Sequence, residues 1–325
     1  MGILRCSYRI GAWTGSVGVL ITAGLGTAGG LPGPVEAQEV ESFVLQGEPR
    51  IDGLYISDDG RVFGAGTYTG SEVYRIHSDG TYETVASGLA GPTDLGMDAD
   101  GNLYVSNFNG STVSRIGPDG RVEVHARVSP GPAGIVVDPD GTIFVAQYGT
   151  GRGSGRSITR IAVDGAVSEF ARSDDMVAPL GLARGPDGAL YAANFYDGRI
   201  FRIDHDGHIA LFATVTLPGG RGSSIGHLSS GGGGLIATAG PANRLYFIGP
   251  DGRVEPLGGD GSATALDGPM DVATFHHPNG IAEAPDGDVL IATAGNGPGD
   301  RSRLRRLVFG EARASAPPRS TSGAR

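Results

Sequence analysis

The sequence predicts an all-β fold: a single six-bladed β-propeller of four-stranded antiparallel blades, closed by the N-terminal strand. Three observations carry this expectation. An Asp-Gly step returns about every twenty residues. Short runs rich in β-branched and aromatic residues lie between the steps. Two steps make a unit of roughly 40 residues, the period of a propeller blade.

The steps form two series. One comprises Asp59-Gly60, Asp100-Gly101, Asp140-Gly141, Asp187-Gly188 and Asp286-Gly287. The other comprises Asp79-Gly80, Asp119-Gly120, Asp164-Gly165, Asp206-Gly207 and Asp251-Gly252. Asp-Gly supplies the positive φ that hairpin turns need. In each unit the first strand opens at a P-x-G-[LI] slot: Pro92-Thr93-Asp94-Leu95, Pro132-Ala133-Gly134-Ile135, Pro179-Leu180-Gly181-Leu182 and Pro278-Asn279-Gly280-Ile281. Ile51-Asp52-Gly53-Leu54 and Ser224-Ile225-Gly226-His227 fill it less faithfully. Apolar second strands follow, such as Leu103-Tyr104-Val105 and Ile143-Phe144-Val145. Third strands end in Arg-Ile pairs such as Arg75-Ile76 and Arg115-Ile116. The first five units each have their own fourth strand. The sixth has none, whereas residues 40–45 precede the first unit, so this segment is expected to complete the last blade.

The ends read differently. Arg5 and Arg9 precede an uncharged apolar stretch, residues 11–28, and Val35-Glu36-Ala37 offers small residues at a cleavage site. Residues 1–37 therefore read as a secretory signal peptide, 38–310 as the propeller and 311–325 as a disordered polar tail. Five glycines and four Ser/Thr among those eighteen residues make the stretch weakly hydrophobic for a permanent membrane anchor. The expected location is secreted or periplasmic.

Composition closes several routes. Cleavage removes the only Cys (Cys6) and the only Trp (Trp13), and the chain contains no Lys. A Cys nucleophile, a disulfide and a lysine Schiff base are thereby excluded from the mature chain. Loss of two Arg and one Glu takes the formal charge from −10 to −11. An acidic chain without basic clusters argues against nucleic acid as a partner. A monomer is expected.

On these units the chain resembles NHL-repeat propellers, and residues 261–280 resemble the loop leading into an NHL blade. Residues 167–203 are similar to the streptogramin-lyase and regucalcin/gluconolactonase group. The resemblance covers about residues 39–310. It is specific for architecture and weak for activity, because these propellers host binding modules, lactonases and lyases alike.

Topology assigns the faces. Loops before strand one and after strand two share one face, and both Asp-Gly turns lie on the other. Length varies on the first face, at residues 149–156, 216–223, 258–277 and 294–303. Insertions confined to one face point to the binding face. Second strands end there in Thr67-Tyr68, Asn107-Phe108, Gln147-Tyr148 and Asn194-Phe195-Tyr196. Tyr68, Asn107, Phe108, Gln147, Tyr148, Asn194 and Phe195 are therefore the candidate ligand-binding residues; aromatics that only cap the spaces between blades are the alternative.

In the regucalcin/gluconolactonase group the x residues of the slot ligate a divalent metal. That resemblance implies Asp52, Asn279 and Thr93 as candidate ligands here, for a hard cation such as Ca²⁺ or Mg²⁺. Ala133, Leu180 and Ile225 hold the other slots and cannot ligate through their side chains. His227 replaces an aliphatic residue on an inner strand, and such breaks of local consistency often mark function. With Asp52 and either His276 or His277, it is a candidate acid/base group; a buried neutral His bonded to backbone is the alternative. His77, His205 and His208 near the far turns, and His125 on an outer strand, read as solvated bystanders. Gly222-Ser223-Ser224-Ile225-Gly226 matches a hydrolase motif, but no strand–turn–helix surrounds it.

Two functions fit. One is an exported module that binds a small molecule, glycan or protein through the variable face. The other is a small-molecule enzyme at the channel mouth, a metal-dependent lactonase or a lyase of the streptogramin-lyase type.

Overall fold

The computed structural model describes residues 37–47, 49–151, 153–218, 224–293 and 302–309. Residues 1–36 of the segment 1–37 expected to be a signal peptide, the expected tail 311–325, residues 294–301 and parts of the loops 149–156 and 216–223 lie outside the described residues, as do the first two residues of the hydrolase-like motif.

The Asp-Gly steps are turns, and the positive φ belongs to the glycine alone. All ten glycines have φ between 78° and 90°. Each turn closes on a backbone bond such as Gly60 N to Ser57 O (2.8 Å) or Gly141 N to Asp138 O (2.9 Å). Asp79, Asp119, Asp140 and Asp164 cap their turns by accepting the amide two residues on. These are three-residue hairpin loops ending in a left-handed glycine.

The strands build six antiparallel sheets around one axis. Blades two, three and four open on the faithful slots, at Pro92–Met97, Pro132–Val137 and Pro179–Arg184. In blades six and one the inner strand starts at the last residue of the slot, at Ile281–Glu283 and Leu54–Ile56, and in blade five just after it, at Leu228–Gly231. Six buried apolar clusters lie one at each seam. Leu45, Ile51, Leu54, Ala282, Ala292 and Leu304 form the seam between the last blade and the first. No α-helix is present among the described residues, and no helix there is long and apolar enough to cross a membrane.

Closure follows the expected route. Ala37–Val44 pairs antiparallel with Arg303–Phe309 as the outer strand of blade six. The structure adds one strand that the repeat does not imply. Gly268–Pro269 pairs with Glu39 and Val40, so the long loop 258–277 folds down over the closing strand. This loop was expected on the variable face; its middle instead shields a sheet edge. Arg305 pins it. Its fully buried guanidinium donates to Thr274 O and Leu266 O, meets Asp267 at 2.9 Å, and lies over the Phe275 ring.

Candidate functional site

The two faces are assigned by bonds between loops. Phe108, Tyr148 and Phe195, just after second strands, donate their amides to Gly91, Gly131 and Ala178, just before first strands. These loops share one face, opposite the Asp-Gly turns.

Ring closure brings blades five, six and one together at the channel. Asn279 Nδ2 donates to Asp52 Oδ1 at 2.7 Å. His227 Nε2 lies 3.3 Å from the same oxygen. His227 is buried, and its amide donates to Thr238 Oγ1 at 3.0 Å. Among the described residues no hydrogen bond occupies Asp52 Oδ2. The neighbouring slots carry glycine because the next inner strand comes too close for a side chain. A Cβ at Gly280 would collide with Asp52 O, at Gly134 with Leu180 O, and at Gly181 with Gly226 O.

Blade two breaks that rule with Asp94, which sequence reasoning missed. It stands in the glycine position of its slot, a departure visible in Pro92-Thr93-Asp94-Leu95. Its carboxylate is buried. Leu95 N donates to Oδ1 and Ile135 N to Oδ2, each at 3.0 Å. Oδ2 is also 3.8 Å from His227 Nδ1, an ion-pair distance. Asp52, His227 and Asp94 thus form a row of two carboxylates about one imidazole.

Burial pushes the Asp94 carboxyl up to about 6, against the lowering effects of the His227 charge and of the Ile135 and Leu95 amides. Burial opposes charge on His227 as well. The Asp52 hydrogen bond and the charges of Asp94 and Asp52 outweigh it, so its pKa lies above that of an ordinary histidine. The imidazolium is favoured between the two carboxylates. A cavity of about 680 Å³ runs from Asp94 and His227 along the inner strands, past Tyr55, Arg184 and Glu283, to the turn at Asp286. The group is therefore approached from two sides, with Asp52 and Asn279 toward the variable face and the cavity toward the turn face.

The candidate metal ligands do not form a donor set. Asp52 Oδ1 already accepts two hydrogen bonds, and Asn279 presents its amide nitrogen to it. The Thr93 hydroxyl is buried and lies within bonding distance of Ser106 and Pro132 O. A hard cation needs six or more oxygens, and this arrangement supplies few free ones. Asp204, Asp206 and His208 do lie with ligand atoms within 4.8 Å of one another. They belong to a repeat turn on the opposite face, where Asp204 Oδ1 accepts the amides of Asp206 and His208.

The aromatic candidates form one arc across blades one to four. Ring centroids are 6.4 Å apart for Tyr68–Phe108, 5.5 Å for Phe108–Tyr148 and 5.9 Å for Tyr148–Phe195. Tyr196 joins its end, its hydroxyl 2.5 Å from that of Tyr148. The amides were expected to line this face and are buried beneath it. Asn107 bonds Thr112 and Ser114, Gln147 bonds Thr159, and Asn194 bonds Val177 N, Asp175 O and Asp197. Asn194 thereby holds the loop 175–177, whereas Asn107 and Gln147 tie their second strands to the third strands of their own blades.

His276 and His277 do not join the channel group through any hydrogen bond among the described residues. His277 is exposed, with φ of 49° and its amide on Asn243 Oδ1. His276 is half-buried, and its Nδ1 finds no partner among the described residues. His125, read as solvated, instead packs against Tyr104 with centroids 5.1 Å apart; burial lowers its pKa.

Comparison with known proteins agrees with this architecture. The model of the virginiamycin B lyase family matches residues 78–297. No curated protein matches. Among solved structures, virginiamycin B lyase from Staphylococcus aureus is 20% identical with a TM-score of 0.58, over 78% of this chain and 81% of that one. The same lyase is known as a catalytically inactive histidine-to-alanine variant with quinupristin. A gluconolactonase from Xanthomonas campestris is 17% identical with a TM-score of 0.63, over 85% and 91%. A calcium-binding regucalcin from Agrobacterium tumefaciens is 16% identical with a TM-score of 0.62, over 84% and 94%.

Proposed function

This chain belongs to the virginiamycin B lyase family, and from that premise we propose that it is an enzyme that breaks a bond in a small molecule by elimination at the channel mouth. The observation that supports this reading is the Asp52–His227 contact, between residues 175 apart in sequence. An aliphatic residue at position 227 would satisfy the repeat. An imidazole held between two carboxylates has no packing role that requires it, and perturbed titratable clusters of this kind concentrate at functional sites.

Asp52 is the group nearest the variable face and meets the substrate. Its carboxylate accepts a proton as a C–H bond breaks. That electron pair becomes the new double bond, and the leaving group departs with the electrons of its own bond. The proton then resides on Asp52, which returns it to the leaving group. His227 and Asn279 hold Oδ1 and steady the charge there. The arc from Tyr68 to Tyr196 supplies apolar, polarisable surface for the substrate beside the mouth. Ca²⁺ or Mg²⁺ has no part in this reading, because the donor set does not fit one. Export through cleavage of residues 1–37 and action as a monomer complete the proposal.

Quinupristin and virginiamycin B are the first probes, with a gluconolactone as the contrast. Mass spectrometry separates the outcomes. Elimination within a ring opens it with no change of mass, whereas hydrolysis adds one water. A ring-opened hydroxy acid one water heavier than its lactone would replace the lyase reading with a lactonase. A second reading, an exported binding module for a small molecule, glycan or protein, rests on the continuous arc of five rings. It is favoured if the probes raise the melting temperature and none is turned over.

A further inference from the structure

We propose that Asp94 is a positioning residue: it holds the His227 ring with Nδ1 toward itself, so that Nε2 is the nitrogen that exchanges a proton with Asp52. The inference rests on the reading of Asp52 as the group that meets the substrate.

The position itself is the first argument. Five of the six slots carry glycine, at Gly53, Gly134, Gly181, Gly226 and Gly280, and at most of them the neighbouring inner strand leaves no room for a Cβ. The propeller needs only a hydrogen there. Blade two places a carboxylate in that position and buries it, which is costly unless it has partners. The side chain also fits tightly: a Cβ on Gly53 of blade one would collide with Asp94 Oδ1.

The second argument is immobility. Oδ1 is tied by the amide of Leu95 and Oδ2 by the amide of Ile135 in the next blade. A carboxylate held on both oxygens, across two blades, has one orientation. In that orientation Oδ2 faces His227 Nδ1. The ring's own backbone is anchored from the second strand of blade five, through Thr238.

The third argument is the electrostatic surroundings. The charged groups that act on the His227 ring are Asp94 from blade two and Asp52 from blade one. Asn279 of blade six is neutral and donates to Asp52. A fixed negative charge beside Nδ1 keeps the proton on that nitrogen. The other nitrogen, 3.3 Å from Asp52, is then free to donate its proton to the carboxylate or take one from it. The arrangement runs carboxylate, imidazole, carboxylate, with the outer member at the mouth. Asp94 touches no substrate and acts through His227 and Asp52.

The experiment uses the mature chain with ¹⁵N-labelled histidine. The His227 ring signals are assigned by their loss in His227→Gln. Asp94→Asn removes the charge and keeps the shape; Asp94→Gly restores the residue of the other blades. In the wild type, Nδ1 is expected in the protonated range through neutral pH, with a single tautomer when the ring is neutral. In both variants the Nδ1 signal is expected to move toward the unprotonated range. A purely structural carboxylate would lower the melting temperature and leave the ring signature unchanged, and that result would overturn the proposal. If Asp94→Gly does not fold, Asp94→Asn decides. Turnover of the probes separates the two readings. A changed ring signature without turnover in the wild type keeps the positioning role and ends the lyase reading. Turnover with an unchanged signature does the reverse. Where turnover exists, Asp94→Asn should lower kcat by about tenfold or more and move KM by less than about threefold.

Discussion

Asn279 and Asp52 stand 227 positions apart in the chain and 2.7 Å apart in space, because the last blade closes against the first. The contact exists only when the ring is shut. The channel group and the closure of the fold are therefore linked: what loosens the seam between blades six and one also disperses the site.

Asp52→Asn should leave the fold nearly intact and lower turnover about a hundredfold or more, since the amide cannot accept the substrate proton. Asp52→Ala should in addition cost about 1–3 kcal/mol, because His227 Nε2 and Asn279 Nδ2 lose their acceptor. Mass-spectrometric assay and thermal melting read the two effects separately. Full activity in Asp52→Asn would remove Asp52 from the chemistry.

Stability should fall as pH rises from about 4 upward, through these two groups. Asp94 is raised from 3.8 to about 6 in the folded chain, so its stabilising protonation is complete below 3.8 and is lost as pH climbs through about 6. His227 is also raised, from 6.5, so its contribution is present below 6.5 and is lost above its folded value. Asp94→Asn should flatten the first limb by up to about 3 kcal/mol and shrink the second. The measurement is denaturant midpoint against pH for both proteins, read as a difference, because paired surface carboxylates such as Asp59 act in the opposite sense at lower pH.

Chelation should not matter. Asp52 Oδ1 and the Asn279 amide nitrogen are committed to each other, and the Thr93 hydroxyl to Ser106 and Pro132 O, which leaves too few oxygens for a hard cation. Melting temperature with EDTA should equal that with added Ca²⁺ or Mg²⁺. A shift of several degrees that Asp52→Ala abolishes would place a cation at the mouth after all.

Deleting residues 38–46 should cost several kcal/mol. It strips the outer strand from Arg303–Phe309, removes Leu45 from the seam with blade one and leaves Gly268–Pro269 without its partner. An unchanged melting temperature would show that blade six does not need this strand.

Arg305→Met should cost about 1–3 kcal/mol by leaving the carbonyls of Leu266 and Thr274 without their donor, while the half-exposed Asp267 keeps the Ser42 hydroxyl. Proteolysis within residues 258–277 should accelerate in parallel, because the guanidinium is what fastens that loop to the last strand. Equal cleavage rates in the two proteins would contradict this.

Much of the site was legible in part. His227 stood out as an imidazole where the repeat calls for an aliphatic residue, and Asp52 and Asn279 stood out by slot. Asp94 was equally visible as an acid in a glycine slot, but its meaning depends on which neighbour it faces. The burial of Asn107, Gln147 and Asn194 beneath the arc was hidden, because an amide at a strand end looks the same whether it points to solvent or to a loop.

The sequence by itself determined the turns, the blade period, the two faces and the closing strand. A left-handed glycine is a local requirement, strand patterning is local too, and six fourth strands for six blades is a matter of counting. Only the tertiary structure decided which residues meet. Asp52, Asp94, His227 and Asn279 come from four blades and converge on the channel through ring closure. Arg305 and the loop it holds meet through the wrap of residues 258–277 over the outer edge. These contacts depend on distances across the ring and across the edge, set by the packing of all the seams together, and no local pattern encodes them.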